Sequence, residues 1–151
     1  MDTENRLRRP GFVFVELYVE DPAYYVRIFR DALGFEVVRD EGDFVELRSA
    51  RGLVLLNAFE DADAGHPFEH YRVERRRGIG VEVGIVTDRL EASWEVARRI
   101  EGCVVSDVVH QEWGMTDYRI LTPHGYYLRV TTPPAGSDAE PGPSPREPGG
   151  G

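Results

Sequence analysis

The stretch QEWGMTDYRILTPHGYYLRVT, Gln111 to Thr131, holds the pattern that decides the fold. An acidic residue stands beside Trp113, a strand follows, the chain turns at Pro123-His124-Gly125, and a second strand carries Arg129. That second strand otherwise reads as buried, with Leu128 and Val130 flanking the arginine. A charge there is costly unless something pairs with it. Either another residue of the chain or a polar ligand must therefore pair with Arg129.

Outward from this stretch, an element order repeats. FVFVELYVED reads as a strand, with Val13, Val15, Leu17 and Val19 alternating against Phe14, Glu16, Tyr18 and Glu20. A helix follows from about Pro22, since proline is tolerated in a first turn, and stops at Gly34. Its apolar stripe is Tyr25, Ile28, Phe29 and Leu33. FEVVRD, DFVELRS and GLVLLNAF are three short strands. After a polar linker the order recurs: VEVGIVT as strand, LEASWEVARRIEG as helix ending at Gly102, then CVVSDVVH, TDYRILT and YYLRVT as strands.

Two βαβββ units in tandem imply that each half covers an open face of the other. The fold class is α+β, with two curved sheets, each backed by a helix, around a cavity. The folded domain spans about 11–132: module one about 11–60, a linker about 60–78, and module two about 79–132. Residues 1–10 read as a flexible N-terminus. PPAGSDAEPGPSPREPGGG, 133–151, is too rich in Pro and Gly for a core and reads as a disordered tail.

Bulk properties narrow the function classes. With 151 residues, 41% hydrophobic and 30% charged, the chain fits one domain or two small units sharing a core. No apolar run is long enough to span a bilayer, and MDTENRLRRPG has no signal-peptide core, so the expected compartment is the cytoplasm with no membrane partner. A single cysteine, Cys103, excludes an internal disulfide or thiolate cage and reads as a small buried hydrophobe. The net charge of −9 argues against nucleic acid as a partner and favours a cationic ligand over an anionic one. The basic cluster Arg72 to Arg77 reads as a solvated linker.

The order resembles the vicinal oxygen chelate superfamily, which includes glyoxalase, extradiol dioxygenases, fosfomycin-modifying enzymes and bleomycin-binding resistance proteins. VEDPAYYVRIFRDALGFE is similar to that family's strand, Asp, helix, Leu-Gly-Phe segment. WGMTDYRILTPHGYYLRVT is similar to its Trp-Gly, strand, turn, strand ending, with Thr122, Pro123, His124 and Gly125 in the turn.

The resemblance implies metal positions on the first and last strands of each module. Phe14 lies seven residues before Asp21, and Glu82 seven before Arg89. Aligning Gly52 with Gly125 sets Leu56 opposite Arg129. Of Phe14, Leu56, Glu82 and Arg129 only the glutamate can ligate a metal, whereas such sites need two or more strong donors. No metal and no other cofactor is expected. Glu82 then becomes the natural partner of Arg129, since pairing lowers the cost of burying either charge.

The histidines do little to restore a metal site: His66 and His70 sit in the linker, where a surface role is expected, and His110 and His124 show no partner in sequence. The expected cavity lining is Phe14, Glu16, Tyr18, Val54, Leu56, Glu82, Val86, Tyr127 and Arg129, with Trp113 at the rim. Gln-Glu-Trp-Gly and the aliphatic-Arg-aliphatic strand resemble the bleomycin-resistance branch in particular. That resemblance implies a homodimer whose grooves sequester a small molecule, such as an aromatic or cationic antibiotic, without turning it over. Two alternatives stay open. One is a metal-free tailoring enzyme with Glu82, Glu16 or Asp117 as general base and Arg129 or Tyr127 steadying negative charge. The other is a divalent-metal lyase or dioxygenase, should the register be misplaced.

Overall fold

The computed structural model describes residues 13–59, 66–68 and 77–134. The expected N-terminal segment, the C-terminal segment from residue 135 on, His70, and Arg72, Arg75 and Arg76 of the basic cluster lie outside them. Module one runs β1 (Val15–Val19), α1 (Pro22–Val26) continuing as a π-helical segment (Arg27–Ala32), β2 (Glu36–Asp40), β3 (Phe44–Arg48) and β4 (Leu53–Ala58). Module two runs β5 (Glu82–Val86), α2 (Leu90–Ala97), β6 (Val104–Val105), β7 (Val109–His110), β8 (Thr116–Leu121) and β9 (Tyr127–Thr131). The α+β class and the paired βαβββ order are as the sequence predicts.

Local chemistry places these elements. Asp21 caps α1, its Oδ1 accepting from the Ala23 N–H at 3.0 Å, and Pro22 occupies the first turn where no N–H is needed. At the matching point of module two stands Arg89, which makes no cap bond; Thr87 Oγ1 instead accepts from the Arg89 N–H at 3.1 Å. The first helix widens after one turn, with the Leu33 N–H reaching back to the Ile28 carbonyl. It ends at Gly34, whose φ of 75° suits a residue without Cβ. CVVSDVVH is two short strands and not one. At the break, the Ser106 N–H bonds the Arg119 carbonyl and its hydroxyl accepts from the Arg119 N–H.

Sheet one has the order β1-β4-β3-β2, and sheet two β5-β9-β8-β6 with β7 also on β8. In both, the module's first strand runs parallel to its last, pairing Val15 with Val54 and Val83 with Leu128. One face of each sheet packs on the helices. Leu17, Val19, Val54 and Leu56 join Ile28 and Phe29, and Tyr118, Ile120, Leu128 and Val130 join Leu90 and Ala97, in a single shared core. Burying each of the Leu, Ile, Val and Phe side chains among them fully contributes roughly 1.5–3 kcal/mol. Polar groups in this core are matched: Tyr118 and Ser93 bond through their hydroxyls, and the Tyr25 hydroxyl donates to Thr122 Oγ1 at 3.0 Å.

The register corrects two expectations. Leu56 and Val54 lie on the helix side, at 0% and 5% exposure, and not in a cavity. Because Val54 matches Leu128, the true counterpart of Arg129 is Leu55, which pairs with Glu16 as Arg129 pairs with Gly84. Aligning glycines misplaces the position because residues 49–52 join β3 to β4, while the β8–β9 connection, 122–126, is one residue longer. A single-residue slip moves a strand position to the opposite face.

Candidate functional site

β1 and β5 are both edge strands, each hydrogen-bonded on one side only. Between their free edges lies a cavity of about 330 Å³. Its walls carry five aromatic rings, Tyr18, Phe59, Phe68, Tyr126 and Tyr127, beside aliphatic Val15 and Leu17, with Glu16 and Arg77 as the charged groups. Val81 and Val83 close the module-two side. Tyr18 is the hub of the ring cluster. It meets Phe68 edge to face at 5.2 Å, Phe59 at 6.3 Å and His66 at 4.9 Å between ring centres. The Tyr18 hydroxyl and His66 Nε2 are 3.1 Å apart, and the Tyr126 hydroxyl donates to the Tyr18 carbonyl at 2.6 Å. Burial pushes the Tyr126 phenol above its ordinary value, so it remains a donor at neutral pH.

Arg77 corrects the expectation of a wholly solvated basic linker. Its side chain is 6% exposed, sits over the Phe59 ring at 3.7 Å and pairs with Glu20. A cation on an aromatic face with a carboxylate beside it is anchored, not solvated. His66 likewise packs on Tyr18 and has no plain surface role. His110 bonds Thr116 Oγ1 at 3.0 Å, and His124 lies against Tyr25.

Next to the cavity, on the face of sheet two away from α2, a charged network crosses three strands. Arg129 Nε lies 3.3 Å from Glu82 Oε1, and Arg119 Nε lies 3.7 Å from Glu82 Oε2. Arg119 Nη1 is 2.8 Å from Asp117 Oδ1, which also accepts from Gln111 Nε2 at 2.9 Å. The question posed by Arg129 thus has its answer in Glu82. The contact is ionic in character, since the Arg129 Nε–H is not aligned for a hydrogen bond. Burial works against the Arg119 charge, but the neighbouring Asp117 and Tyr127 outweigh that and raise its pKa; the Nη1 contact with Asp117 is ionic, since that N–H, like the Arg129 Nε–H, is not aligned for a hydrogen bond. Asp117 Oδ2 is buried with no hydrogen-bond partner among the described residues.

The expected site residues fall into groups. Glu16, Tyr18 and Tyr127 line the cavity together. Glu82 and Arg129 pair beside it, and Glu82 stands across the ladder from Tyr127. Phe14 is half exposed just before β1, and Val86 is 59% exposed at the end of β5. Trp113 is 62% exposed in the β7–β8 turn and does not line the cavity. Leu56 and Val54 lie in the core. Phe59, Phe68 and Tyr126 of the cavity and Arg119 of the network are not among the residues expected from the sequence. The alternation in TDYRIL, Asp117 and Arg119 against Tyr118 and Ile120, signals Arg119; Phe68 is an apolar residue stranded in a polar linker.

Cβ geometry at one position shows how tightly the seam is drawn. A Cβ on buried Gly78 would lie 2.5 Å from the Gly125 carbonyl oxygen and 2.7 Å from Tyr126 Cα. Only glycine lets the end of the linker pass the β8–β9 connection, where the Arg77 N–H bonds the His124 carbonyl.

Two βαβββ modules around a shared core, with a small-molecule-sized cavity at their seam, define a glyoxalase-type α+β fold. The chain belongs to the Glyoxalase/Bleomycin resistance protein/Dioxygenase superfamily, whose sequence profile matches residues 11–130. Among solved structures it is similar to a lactoylglutathione lyase from Agrobacterium tumefaciens, at 19% identity and a TM-score of 0.59, covering 86% of this chain and 99% of that one. A glyoxalase-related enzyme from Fulvimarina pelagi aligns with a TM-score of 0.65 at 13% identity, covering 89% and 96%. TioX from Micromonospora sp. ML1 aligns at 0.58 and 16%, covering 81% and 98%. No curated protein matches the sequence. At these identities the structural likenesses establish the fold and not the activity.

The divalent ion held by metal-dependent family members does not fit the residues here. With the register corrected, the four positions carry Phe14, Leu55, Glu82 and Arg129. That is one oxygen donor against a resident cation, and both oxygens of Glu82 already face guanidinium groups. Among the described residues no group of three or more His, Cys, Asp and Glu side chains is placed to hold a metal. Nor is any helix among them long and apolar enough to cross a membrane.

Proposed function

We propose that the protein is a metal-independent small-molecule binder of the bleomycin-resistance type, sequestering a hydrophobic or aromatic natural product such as an antibiotic. The observation that carries this reading is the seam cavity of about 330 Å³ with its wall of tyrosine and phenylalanine rings. Concave, largely apolar sites with few polar groups suit drug-sized ligands, and flat rings at right angles accept planar guests edge to face. Glu16 is the acidic group of the lining and is held by Asn57, whose Nδ2 donates to its carboxylate. The cation of the lining, Arg77, is already paired with Glu20, so the Glu16 carboxylate favours a ligand with a cationic group, in keeping with the net charge of −9. We place the protein in the cytoplasm as a homodimer.

The test is calorimetric titration of the full chain with bleomycin and with planar aromatic antibiotics, followed by recovery of the ligand. Saturable binding with the ligand recovered intact supports sequestration. A chemically altered ligand points to the metal-free enzyme, and stoichiometric zinc, iron or manganese in the purified protein removes the metal-independent reading.

A further inference from the structure

The cavity is bounded by backbone as well as by rings. β1 pairs only with β4, through Val15↔Val54, Glu16↔Leu55, Leu17↔Leu56 and onward. Along a strand with one partner, residues two apart present their N–H and C=O groups to the same side, and the side without a partner is a row of open donors and acceptors. The Tyr126 hydroxyl reveals which residues face outward here. It reaches the Tyr18 carbonyl from module two, so that carbonyl points across the seam. Glu16, two residues earlier, presents its N–H and C=O in the same direction, into the cavity it lines. Among the described residues no backbone group outside the β1–β4 ladder bonds Glu16.

β5 repeats the arrangement. The Thr87 N–H bonds the Thr131 carbonyl of β9, so Val83 and Ile85 face the ladder while Glu82 and Gly84 face the seam. Gly84 is the counterpart of Glu16 in the repeat, and its lack of a side chain leaves the backbone open from that direction. The seam is therefore a slot with a hydrogen-bonding edge and aromatic walls.

We propose that this slot binds an extended, amide-bearing ligand, a short peptide or peptide-like natural product that adds to the free edge of β1 at Glu16. The C=O of one of its amides accepts from the Glu16 N–H and the N–H of the next amide donates to the Glu16 C=O, as a neighbouring parallel strand would. Its flat side groups enter the ring cluster of Tyr18, Phe68 and Tyr126. Main-chain bonds of this kind give affinity, and the flanking pockets select side groups. The inference rests on the cavity being a ligand site and names the chemistry of what it holds.

The test uses three probes on the isotope-labelled full chain, followed by amide NMR: N-acetyl-phenylalanine N-methylamide, the matching methyl ester, and toluene. The expected result is binding of the amide about five- to tenfold tighter than the ester, since one buried acceptor is left unpaired by the ester. The Glu16 N–H signal should move most and exchange more slowly with solvent. A Glu16→Pro variant, compared with Glu16→Ala, removes the outward N–H while leaving the β4 ladder intact, because edge strands tolerate proline on their open side. It should fold, bind toluene as Glu16→Ala does, and lose the preference for the amide that Glu16→Ala keeps. Equal binding of amide and ester overturns this inference and leaves the binding function standing. If Glu16→Pro unfolds while Glu16→Ala does not, the N–H serves the ladder and the inference fails. If toluene and both phenylalanine probes leave Tyr18, Phe68 and Tyr126 unmoved, the cavity reading itself falls.

Discussion

Glu82→Gln keeps the shape of the side chain and removes the carboxylate that faces Arg129 at 3.3 Å and Arg119 at 3.7 Å. Arg119 and Arg129 stand directly opposite each other on β8 and β9, so without that charge two guanidinium groups confront one another. Asp117 then compensates only the Arg119 side. At an effective dielectric of about 20, a pair near 4 Å interacts by about 4 kcal/mol, an upper bound. The side chains of Arg119, Arg129 and Glu82 are 24%, 34% and 38% exposed, so solvent screening takes most of this away. What remains is about 1 kcal/mol per pair, with a few tenths more from like charges across a ladder. The expected loss is about 1.5–2.5 kcal/mol in total. Urea unfolding followed by circular dichroism, at 50 mM and at 1 M NaCl, measures it. The deficit should shrink by about half or more at high salt, where the screening length falls to about 3 Å. Glu82→Gln with Arg129→Met should recover most of the loss, since the second change removes the orphaned charge. A single variant as stable as wild type, or a deficit equal at both salt levels, refutes the counter-charge role of Glu82.

The remaining predictions test placement. Leu56→Ala should cost about 2–5 kcal/mol in urea unfolding because its side chain is fully buried, while Leu55→Ala, on the opposite face and half buried, should cost clearly less; equal costs would restore the glycine-based register. Gly78→Ala should lower the unfolding midpoint by the equivalent of about 1–3 kcal/mol, since its Cβ meets backbone and not a movable side chain. Trp113→Ala should leave the calorimetric affinity of any ligand held in the seam cavity unchanged, because the indole is not part of its lining. Burial lowers the His124 pKa below its ordinary 6.5, with Glu20 opposing and Arg77 reinforcing that shift. The unfolded chain therefore binds the proton first as pH falls, so stability from this group is complete above about 6.5 and is lost toward the folded value. Urea midpoints at pH 7.5 and 5.5 should differ less in His124→Gln than in wild type.

Much of the fold was legible because its signals are local. Alternation in β1 and β9, Pro22 after Asp21, and glycines at 34 and 102 each mark an element without reference to the rest of the chain. The π-helical widening after Val26 was not legible, since Ile28 and Phe29 stay buried whether the turns close on the fourth or the fifth residue. The break at Ser106 was hidden for a similar reason: valines on both sides of it read as one apolar run, and the Ser106–Arg119 bonds that interrupt the ladder are tertiary. The Glu82–Arg129 pair followed from the cost of leaving a charge unpaired on a strand that reads as buried, although the structure leaves both side chains about one third exposed. Gly52 and Gly125 do not mark equivalent positions, because the two connections differ by one residue, and that difference puts Leu56 on the opposite face from Arg129.

The corrected repeat also explains why the charges gather where they do. Matching positions carry Phe14 and Glu82, Glu16 and Gly84, Leu55 and Arg129. Module one is thus apolar at the two positions where module two is charged, and acidic where module two has only a hydrogen atom. Two interacting charges across a seam would each need desolvation and a fixed partner in the other module. Here Glu82 and Arg129 stay within one sheet, so the network stands without the seam, and the seam is left to rings and strand edges. Phe59, Phe68 and Arg77 complete that wall from the end of β4 and from the linker, where no periodic signal marks them in the sequence. Charged groups are few in this cavity, Glu16 and the Glu20-paired Arg77, so the shape set by its rings should weigh more than charge in what it accepts. Ligand selectivity in this protein should accordingly follow the aromatic residues of the linker and β1 more than the ionic residues of sheet two.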